Sequence, residues 1–416
     1  LNKIINIFSK VKFIILILQH LNKSIFIFMP IIFSEYRIPI KSWCKNIEPG
    51  AMKQAINLTM LPFVYDHVSL MADCHEGFGM PIGGVIACRD TIIPNAVGVD
   101  IGCGMCAVQT DLKAYQINQQ TIRTILNRIR AFVPMGFDHH KKSQEWKNFD
   151  NAPDIPIIQK ELESAKKQLG TLGGGNHFIE IQVSEDGFIW FMIHSGSRNF
   201  GYKIAEEYHK KALDYCQKHN FDLPDKDLAF LPMDTKLAQE YKQAMEYALS
   251  FAYENRQRIK NVCIEQFKIE TNCNFLKEIN IHHNFAAEEI HFGKTLIVHR
   301  KGATRAYKNL EGIIPGSMGS PSYLVRGLGN PDSFYSCSHG AGRIMSRNEA
   351  NKKLTYEDVK QAMKDIVFDC WQKGRKGKLD LSEAPQAYKN IDEVILAQKD
   401  LVEVIVKLRP LGVLKG

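Results

Sequence analysis

The chain has 416 residues, 45% of them apolar and 24% charged, with a net charge of +8. That composition belongs to a soluble globular protein with a sizeable core, and ten cysteines scattered over such a length exclude a disulfide-stapled framework. The cysteines suit a reducing compartment where thiols stay free for metals, and the mild basic excess suits a polyanionic partner without requiring one.

Residues 1–28 are rich in Ile, Phe, Lys and Asn, and their longest purely apolar run is Phe13 to Leu18. A bilayer span needs about 20 apolar residues, so this run is too short. It follows Lys10 and Lys12 and imitates a signal peptide, but no clean small-residue cleavage site comes after it. The expectation is a start at Met29, with residues 1–28 as an extension and residues 29–416 as the folded domain.

Residues 29–115 read as strands and tight loops, short apolar runs broken by Gly and Pro. Glycine lets a backbone approach a ligand closely, and Gly98, Gly102 and Gly104 crowd one such stretch. Residues 116–131 carry apolar residues at helical spacing; residues 132–165 are polar and give no clear element. Residues 170–200 read as a glycine-rich loop, a strand and a second loop. Helices are predicted over 203–217 and 236–267; in the second, Tyr241, Ala244, Met245, Ala248, Ala252 and Ile259 form a packing stripe. Strands and glycine-rich loops return over 279–345, and helices are predicted over 355–374 and 391–407. No Pro-, Ser- or Gly-rich linker divides the chain. The fold class is therefore α+β: one large mixed domain, a β-sheet core carrying glycine-rich site loops, with peripheral helices.

Several segments carry chemistry. In GVDIGCGM, residues 98–105, a carboxylate and a thiol three apart in a glycine-rich turn can point at one cation, and a thiolate can bridge two. Cys103 and Cys106 form a C-x-x-C with no second pair and no redox context, so Cys106 reads as a packed small residue. LGGGNHFIE, residues 172–180, MIHSGSR, residues 192–198, and IHHNFA, residues 281–286, each place a histidine where a strand meets a small-residue loop. With Asp100 and Cys103 they supply five ligand-type side chains, a set suited to two divalent ions engaged in phosphoryl chemistry. The glycine-rich loops are not the G-x-x-x-x-G-K-[ST] phosphate loop; Gly293-Lys294-Thr295 fails because position 288 is Glu. In SCSHGAGR, residues 336–343, His339 stands among small residues that would admit a phosphate to its imidazole, a competent nucleophile when its other nitrogen is held. A loose pattern of His, Gly and Arg recurs at His194–Arg198, His299–Arg305 and His339–Arg343, a weak trace of internal repetition.

GVDIGCGM, LGGGNHFIEI, HSGSR, HHNFA, RKGATRA, IIPGSMGSPSYLVRGLGN, SCSHGAGRIMSR, EAPQAYKNIDEV and VLKG resemble, in this order, the signature segments of the RtcB family, bacterial forms above all. The resemblance runs from about Trp43 to Gly416. It implies an RtcB-type domain and a GTP- and Mn²⁺-dependent ligase. Such an enzyme joins RNA ending in a 2′,3′-cyclic phosphate or 3′-phosphate to RNA with a 5′-hydroxyl, in RNA repair or tRNA splicing. By the same resemblance, His339 is the guanylylated residue and Asp73 the carboxylate that orients it. Asp100, Cys103, His177, His194 and His283 are the ligands of two Mn²⁺ ions, Cys103 bridging them. GTP is held by Asn176, His177, Phe178, Ile179, Glu180, His283, Asn284, Pro315, Gly316, Ser317, Met318, Ser322, His339, Gly340, Ala341, Gly342, Tyr388 and Lys415. Arg198 and Arg343 grip RNA phosphates. An archease-type activator is a further partner to test; a cytoplasmic monomer without membrane contact is expected. A lysine-based nucleotidyltransferase is excluded by the lack of K-x-D-G. A two-metal phosphoesterase would leave the His339 loop and Lys415 idle, and a non-catalytic RNA binder finds no RRM or KH signature.

Overall fold

The computed structural model describes residues 29–368 and 379–416, so the expectation for residues 1–28 lies outside the described residues. Its larger sheets have six and seven strands. The six-stranded sheet runs Ile31–Phe33, Ile40–Ser42, Val64–Phe78, Met80–Cys88, Lys294–Lys301, Asn284–His291. The seven-stranded sheet runs Phe275–His282, Gly104–Lys113, Phe188–Ser195, Phe178–Ser184, Val402–Lys415, Ser322–Gly327, Glu311–Ile314. With helices packed on these sheets, the class is α+β as the sequence implies.

Strand alternation sorts the side chains of the second sheet. Ile179, Ile181 and Val183 face a core built with Ile125 and Ile129 of helix Gln119–Phe132 and with Ile259, Cys263 and Phe267 of helix Lys236–Thr271. Met105, Ala107, Trp190 and Met192 form the opposite face with Leu324 and Leu408. Glu180 and Gln182 fall on that second face. The long helix is capped at its start by the Thr235 side chain, which accepts from the Ala238 N–H, and ends at Asn272 in the left-handed region, φ 54°. Its predicted stripe, Tyr241 to Ile259, is buried.

Three element predictions are corrected and one unassigned stretch is filled. Residues 29–115 also contain helix Pro49–Met60, whose buried face is the short set Ala51, Ala55, Leu58 and Thr59 and whose start has no side-chain cap. Residues 132–165 lead into helix Pro156–Gln168, opened by proline at its first position. The helix predicted over 391–407 stops at Ala397, and Val402–Lys415 is instead a strand. There Val402, Val404 and Val406 alternate with Glu403, Ile405 and Lys407, and β-branched residues favour the pleat. The helix predicted over 355–374 shrinks to Tyr356–Ala362; Val367 already bridges to Gly412, and residues 369–374 lie outside the described residues.

The two sheets meet at a corner. Strand Phe275–His282 is the edge of the seven-stranded sheet, and Asn284–His291 is the edge of the six-stranded one, so His283 is the residue at which the chain changes sheets. Gly104 is opposite both Ser195 and His282, and Phe178 is opposite both His194 and Lys415. Five strand ends therefore arrive side by side at this corner. No described helix is long and apolar enough to cross a membrane.

Candidate active site

Asp100 and Cys103 lie in the turn between helix Pro94–Val97 and strand Gly104–Lys113. The Cys103 N–H donates to the Asp100 carbonyl at 3.1 Å, and the His283 N–H donates to the Cys103 carbonyl at 2.9 Å, tying the turn to the corner. Cys103 Sγ lies 3.4 Å from His177 Nε2 and 3.2 Å from His194 Nε2. His177 Nε2 is also 3.1 Å from Asp100 Oδ2, and His194 Nε2 is 3.4 Å from His283 Nε2. The sulfur thus stands between two groups of donors, Asp100 with His177 and His194 with His283.

Hydrogen bonds fix the form of these ligands. His177 Nδ1 lies 2.9 Å from the Leu172 carbonyl and His194 Nδ1 lies 3.0 Å from the Asn176 carbonyl. A carbonyl only accepts, so each Nδ1 carries a proton; Nε2 of His194 then presents a lone pair, while Nε2 of His177 faces the Asp100 carboxylate. Burial, reinforced by neighbouring imidazoles, holds His194 and His283 well below the usual histidine range and keeps them neutral. Burial opposes ionisation of Asp100, but His177 and Arg198 outweigh it and hold the carboxyl low. Burial, with Asp100 beside it, pushes the Cys103 thiol up, although Arg256 acts the other way. Two neutral imidazoles, a third turned to a carboxylate, that carboxylate, and a thiol whose proton a cation would displace form a donor set that fits divalent metal.

Two glycines are required by close approach. A Cβ at Gly196 would stand 2.3 Å from Asp100 Oδ1, and one at Gly173, φ 95°, would stand 2.6 Å from His177 Nδ1. Behind the cluster, helix Lys236–Thr271 contributes two buried polar side chains that sequence reasoning left in its packing face. Asn255 Nδ2 donates to the Thr171 and Gly196 carbonyls and to Ser195 Oγ, while its Oδ1 accepts from the Gly170 and Thr171 N–H groups. Arg256 Nη1 donates to the Gly102 and Ser195 carbonyls, and burial brings its pKa down to about 10. Both occupy positions of the helix's apolar stripe, and a polar residue at such a position was the available signal.

His339 follows strand Ser336–Ser338. Its ring centroid is 4.8 Å from that of His283, which is 5.1 Å from His194, which is 5.2 Å from His177, so four imidazoles stand in a row. His339 Nδ1 is 2.7 Å from Asp73 Oδ2. That oxygen also accepts from the N–H groups of His339 and Gly340, at 3.1 and 3.2 Å. Burial opposes the Asp73 charge, but the His339 ring outweighs it and holds the carboxyl below its ordinary value.

The row opens into a cleft of about 720 Å³ lined by Asn176, Phe178, Glu180, His194, Pro315 to Met318, His339 to Arg343, Tyr388 and Lys415. Burial raises Glu180 to about 8, with Gln182 and Lys415 opposing it. Not all expected nucleotide contacts face this cleft. Ile179 points into the helix-covered core. Ser322 Oγ lies behind the wall, accepting from Gln182 Nε2 at 3.1 Å and the Gly316 N–H at 3.3 Å. Asn284 braces the corner, with Nδ2 donating to the Asp100 carbonyl and Oδ1 accepting from the Gly302 N–H. His177 and His283 belong to the metal-type cluster below.

Arg343 differs from its expected role. Its guanidinium donates to the Met345 and Ser382 carbonyls and to Tyr388 Oη, and it pairs with Glu383 at 3.3 Å. It therefore orders the cleft wall and offers no open fork to a substrate. Glu383 also pairs with Arg347 at 2.8 Å and Lys415 at 3.8 Å and accepts from Tyr388. Neither Glu383 nor Arg347 was singled out in the sequence, though Glu383 opens the EAPQAYKNIDEV segment. Arg198 lies close to the cluster, with Nε donating to Thr171 Oγ1 and Nη2 to the Gly136 carbonyl. The third histidine of the loose repeat does not match its fellows: His299 is buried within strand Lys294–Lys301, where its Nε2 accepts from the Ile93 N–H.

Comparison with known proteins agrees with this arrangement. The family model described as "tRNA-splicing ligase RtcB" matches residues 54–155 and 147–416. The RNA-splicing ligase RtcB of Escherichia coli K12 is 39% identical over 404 residues, covering 91% of this chain and 97% of that protein. The tRNA-splicing ligase RtcB of Nanoarchaeum equitans is 33% identical over 451 residues, covering 89% and 93%. The tRNA-splicing ligase RtcB of Methanococcus maripaludis is 31% identical over 449 residues, covering 89% and 92%. On the match of nearly its whole length and the site described above, the chain belongs to the RtcB family.

Proposed function

We propose that the protein is an RNA ligase that uses GTP and Mn²⁺ to join RNA 3′-phosphate or 2′,3′-cyclic phosphate ends to 5′-hydroxyl ends, with His339 as the guanylylated residue. The observation that carries this reading is the position of His339. It ends a row of buried imidazoles, has Asp73 at its Nδ1, and lines a cleft large enough for a nucleotide. Joining of RNA is carried over from the relatives' names.

With Nδ1 facing Asp73, Nε2 of His339 is left to attack the α-phosphorus of GTP, and the bond to pyrophosphate breaks. A phosphate opened from its cyclic form by water then attacks that phosphorus. The histidine–phosphorus bond breaks, and an RNA(3′)pp(5′)G end forms. The 5′-hydroxyl of the second strand attacks the 3′-phosphorus, GMP leaves, and a phosphodiester remains. Bound at Asp100, Cys103, His177, His194 and His283, two Mn²⁺ ions would neutralise charge on the phosphoryl oxygens. Manganese is chosen on the family, since the same donors bind Zn²⁺ or Cu²⁺ at least as tightly. Glu180 and Lys415 support guanine as the base: a carboxylate accepts from its N1–H and N2–H₂ edge, and an ammonium donates to its O6.

The test is incubation with α-labelled GTP and Mn²⁺. Label is expected on the protein, stable to base and lost in acid, and absent from His339→Ala. Label retained by that variant would place the nucleophile elsewhere.

A further inference from the structure

Strand Phe178–Ser184 sets Glu180 and Gln182 two residues apart, so their side chains stand on one face of the sheet. Both are buried. Gln182 is opposite Trp190 on one neighbouring strand and Pro410 on the other, while Glu180 is opposite Met192 and Val413. An amide in such apolar company is tolerated for the hydrogen bonds it makes, because a buried polar group without a partner destabilises the fold. Gln182 Nε2 donates to Glu180 Oε2 and, at 3.1 Å, to Ser322 Oγ. Ser322 Oγ in turn accepts from the Gly316 N–H at 3.3 Å. The Gln182 carbonyl is different: its Oε1 is buried and finds no donor among the described residues. Turning the amide over would bring that oxygen against the Glu180 carboxylate, so the observed orientation is the one an ionised carboxylate demands. Gln182 thus leaves one polar atom unmatched while both of its amide protons stay on oxygen acceptors.

We infer that Gln182 is a positioning residue for base recognition: it clamps Oε2 of Glu180, leaves Oε1 to the nucleotide cleft, and couples the carboxylate to the cleft wall through Ser322 and Gly316. The inference rests on the guanine reading of Glu180 and adds how the protein holds that carboxylate ready. Glu180 and Pro315 to Met318 line the cleft, with Gln182 and Ser322 behind them. An ionised carboxylate has lone pairs on both oxygens. One donor on Oε2 therefore still leaves acceptors for the N1–H and N2–H₂ edge of guanine. Adenine presents a lone pair at N1, so a carboxylate fixed to receive two donors discriminates against it. The same amide donor favours the ionised form of Glu180, acting with the Lys415 charge against the burial that raises the carboxyl. Lys415 comes from the adjoining strand Val402–Lys415, and the charges around it are Glu383, Arg347 and Arg343. Met192 and Val413, opposite Glu180, carry no charge. Without Gln182 the carboxyl would keep its proton to higher pH and lose its fixed orientation, and selection of guanine would weaken.

The test is self-labelling of the full chain by GTP in Mn²⁺ from pH 6 to 9, for wild type, Gln182→Met, Glu180→Ala and the double variant. Methionine keeps the length of the side chain and removes its donor; Gln182→Val, which suits a strand, replaces it if that variant does not fold. Wild-type labelling is read first, and its absence would overturn the ligase reading and this inference with it. An unchanged preference for GTP over ATP in Glu180→Ala would take base reading away from Glu180, and the inference would fall with that. With both readings standing, Gln182→Met is expected to raise the half-saturating GTP concentration at pH 7 by roughly 10- to 100-fold, with the maximal rate and bound manganese little changed. Its affinity should level off at a higher pH than that of the wild type. In the Glu180→Ala background the same substitution should matter by less than about 2-fold, since the carboxylate it acts through is gone. An equal effect in both backgrounds would overturn the inference alone. A fall in maximal rate or bound manganese with an unshifted pH profile would overturn it too and make Gln182 a packing residue.

Discussion

Oδ2 of Asp73 lies 2.7 Å from Nδ1 of His339, a residue 266 positions further along the chain. The ring does not aim Nδ1 squarely at the carboxylate, and Nδ1 and Asp73 Oδ1 both lack a directed hydrogen bond. The relationship is therefore mainly one of charge, with the carboxylate fixed by two backbone N–H groups. Asp73→Asn keeps the shape and removes the charge that would stabilise a histidine becoming cationic as it bonds to phosphorus. Self-labelling by GTP should slow by about 100-fold or more, with the GTP concentration for half-maximal rate little changed. Single-turnover labelling at saturating GTP measures this. A wild-type rate would reduce Asp73 to a brace of the His339 loop.

Cys103 Sγ approaches both His177 and His194, so removal of the sulfur reaches both halves of the donor set. Cys103→Ala should lower bound manganese below one ion per chain and abolish self-labelling and joining together. Metal content after dialysis and labelling in excess Mn²⁺ test the two effects. Two ions retained, or labelling kept while joining fails, would show that the sulfur is not shared.

Asn255 connects helix Lys236–Thr271 to both the Gly170–Leu172 loop and the Ser195–Gly196 turn through five hydrogen bonds. Asn255→Ala strands buried N–H and carbonyl groups and should destabilise the fold by about 2–4 kcal/mol. Because those segments carry His177 and His194, metal affinity should fall by roughly 10- to 100-fold as well. Urea unfolding and Mn²⁺ titration read the two effects. Lost stability with unchanged affinity would make Asn255 a packing residue alone.

Much of the site was legible in the sequence because each ligand sits in a short segment of small or amide residues next to a strand, and the family resemblance ordered those segments. The stripe of helix Lys236–Thr271 was legible for a similar reason: a 3.6-residue period is local. What was not legible is what tertiary contact decides. Val402–Lys415 completes the middle of a sheet whose other strands lie far away in sequence, so a local reading took part of it for helix. Arg343 has a cation's usual look of a phosphate grip, but Glu383 and Tyr388, some forty residues on, engage its donors. Asn255 and Arg256 are concealed by lying on an otherwise apolar helix face.

Glu180 supplies a pH test of nucleotide recognition. Its carboxyl is raised from 4.5 to about 8, chiefly by burial, so at neutral pH the free protein holds it protonated. A neutral carboxyl keeps one proton of its own and is a poor acceptor for the paired N–H groups of guanine, so GTP binding favours the ionised form. Binding should then release a proton below about pH 8 and gain little above it, and apparent GTP affinity should rise from pH 6 to 8 and level off. Folding shows the opposite slope: the folded state keeps a proton that the unfolded chain has lost, so this group weakens stability between about pH 4.5 and 8. Glu180→Gln should flatten the affinity profile, remove that stability slope, and reduce the preference for GTP over ATP. Self-labelling measured against GTP and ATP from pH 6 to 9 distinguishes the cases. An affinity falling with pH in wild type, or a slope persisting in Glu180→Gln, would take guanine recognition away from this carboxylate and leave Lys415 as the next residue to test.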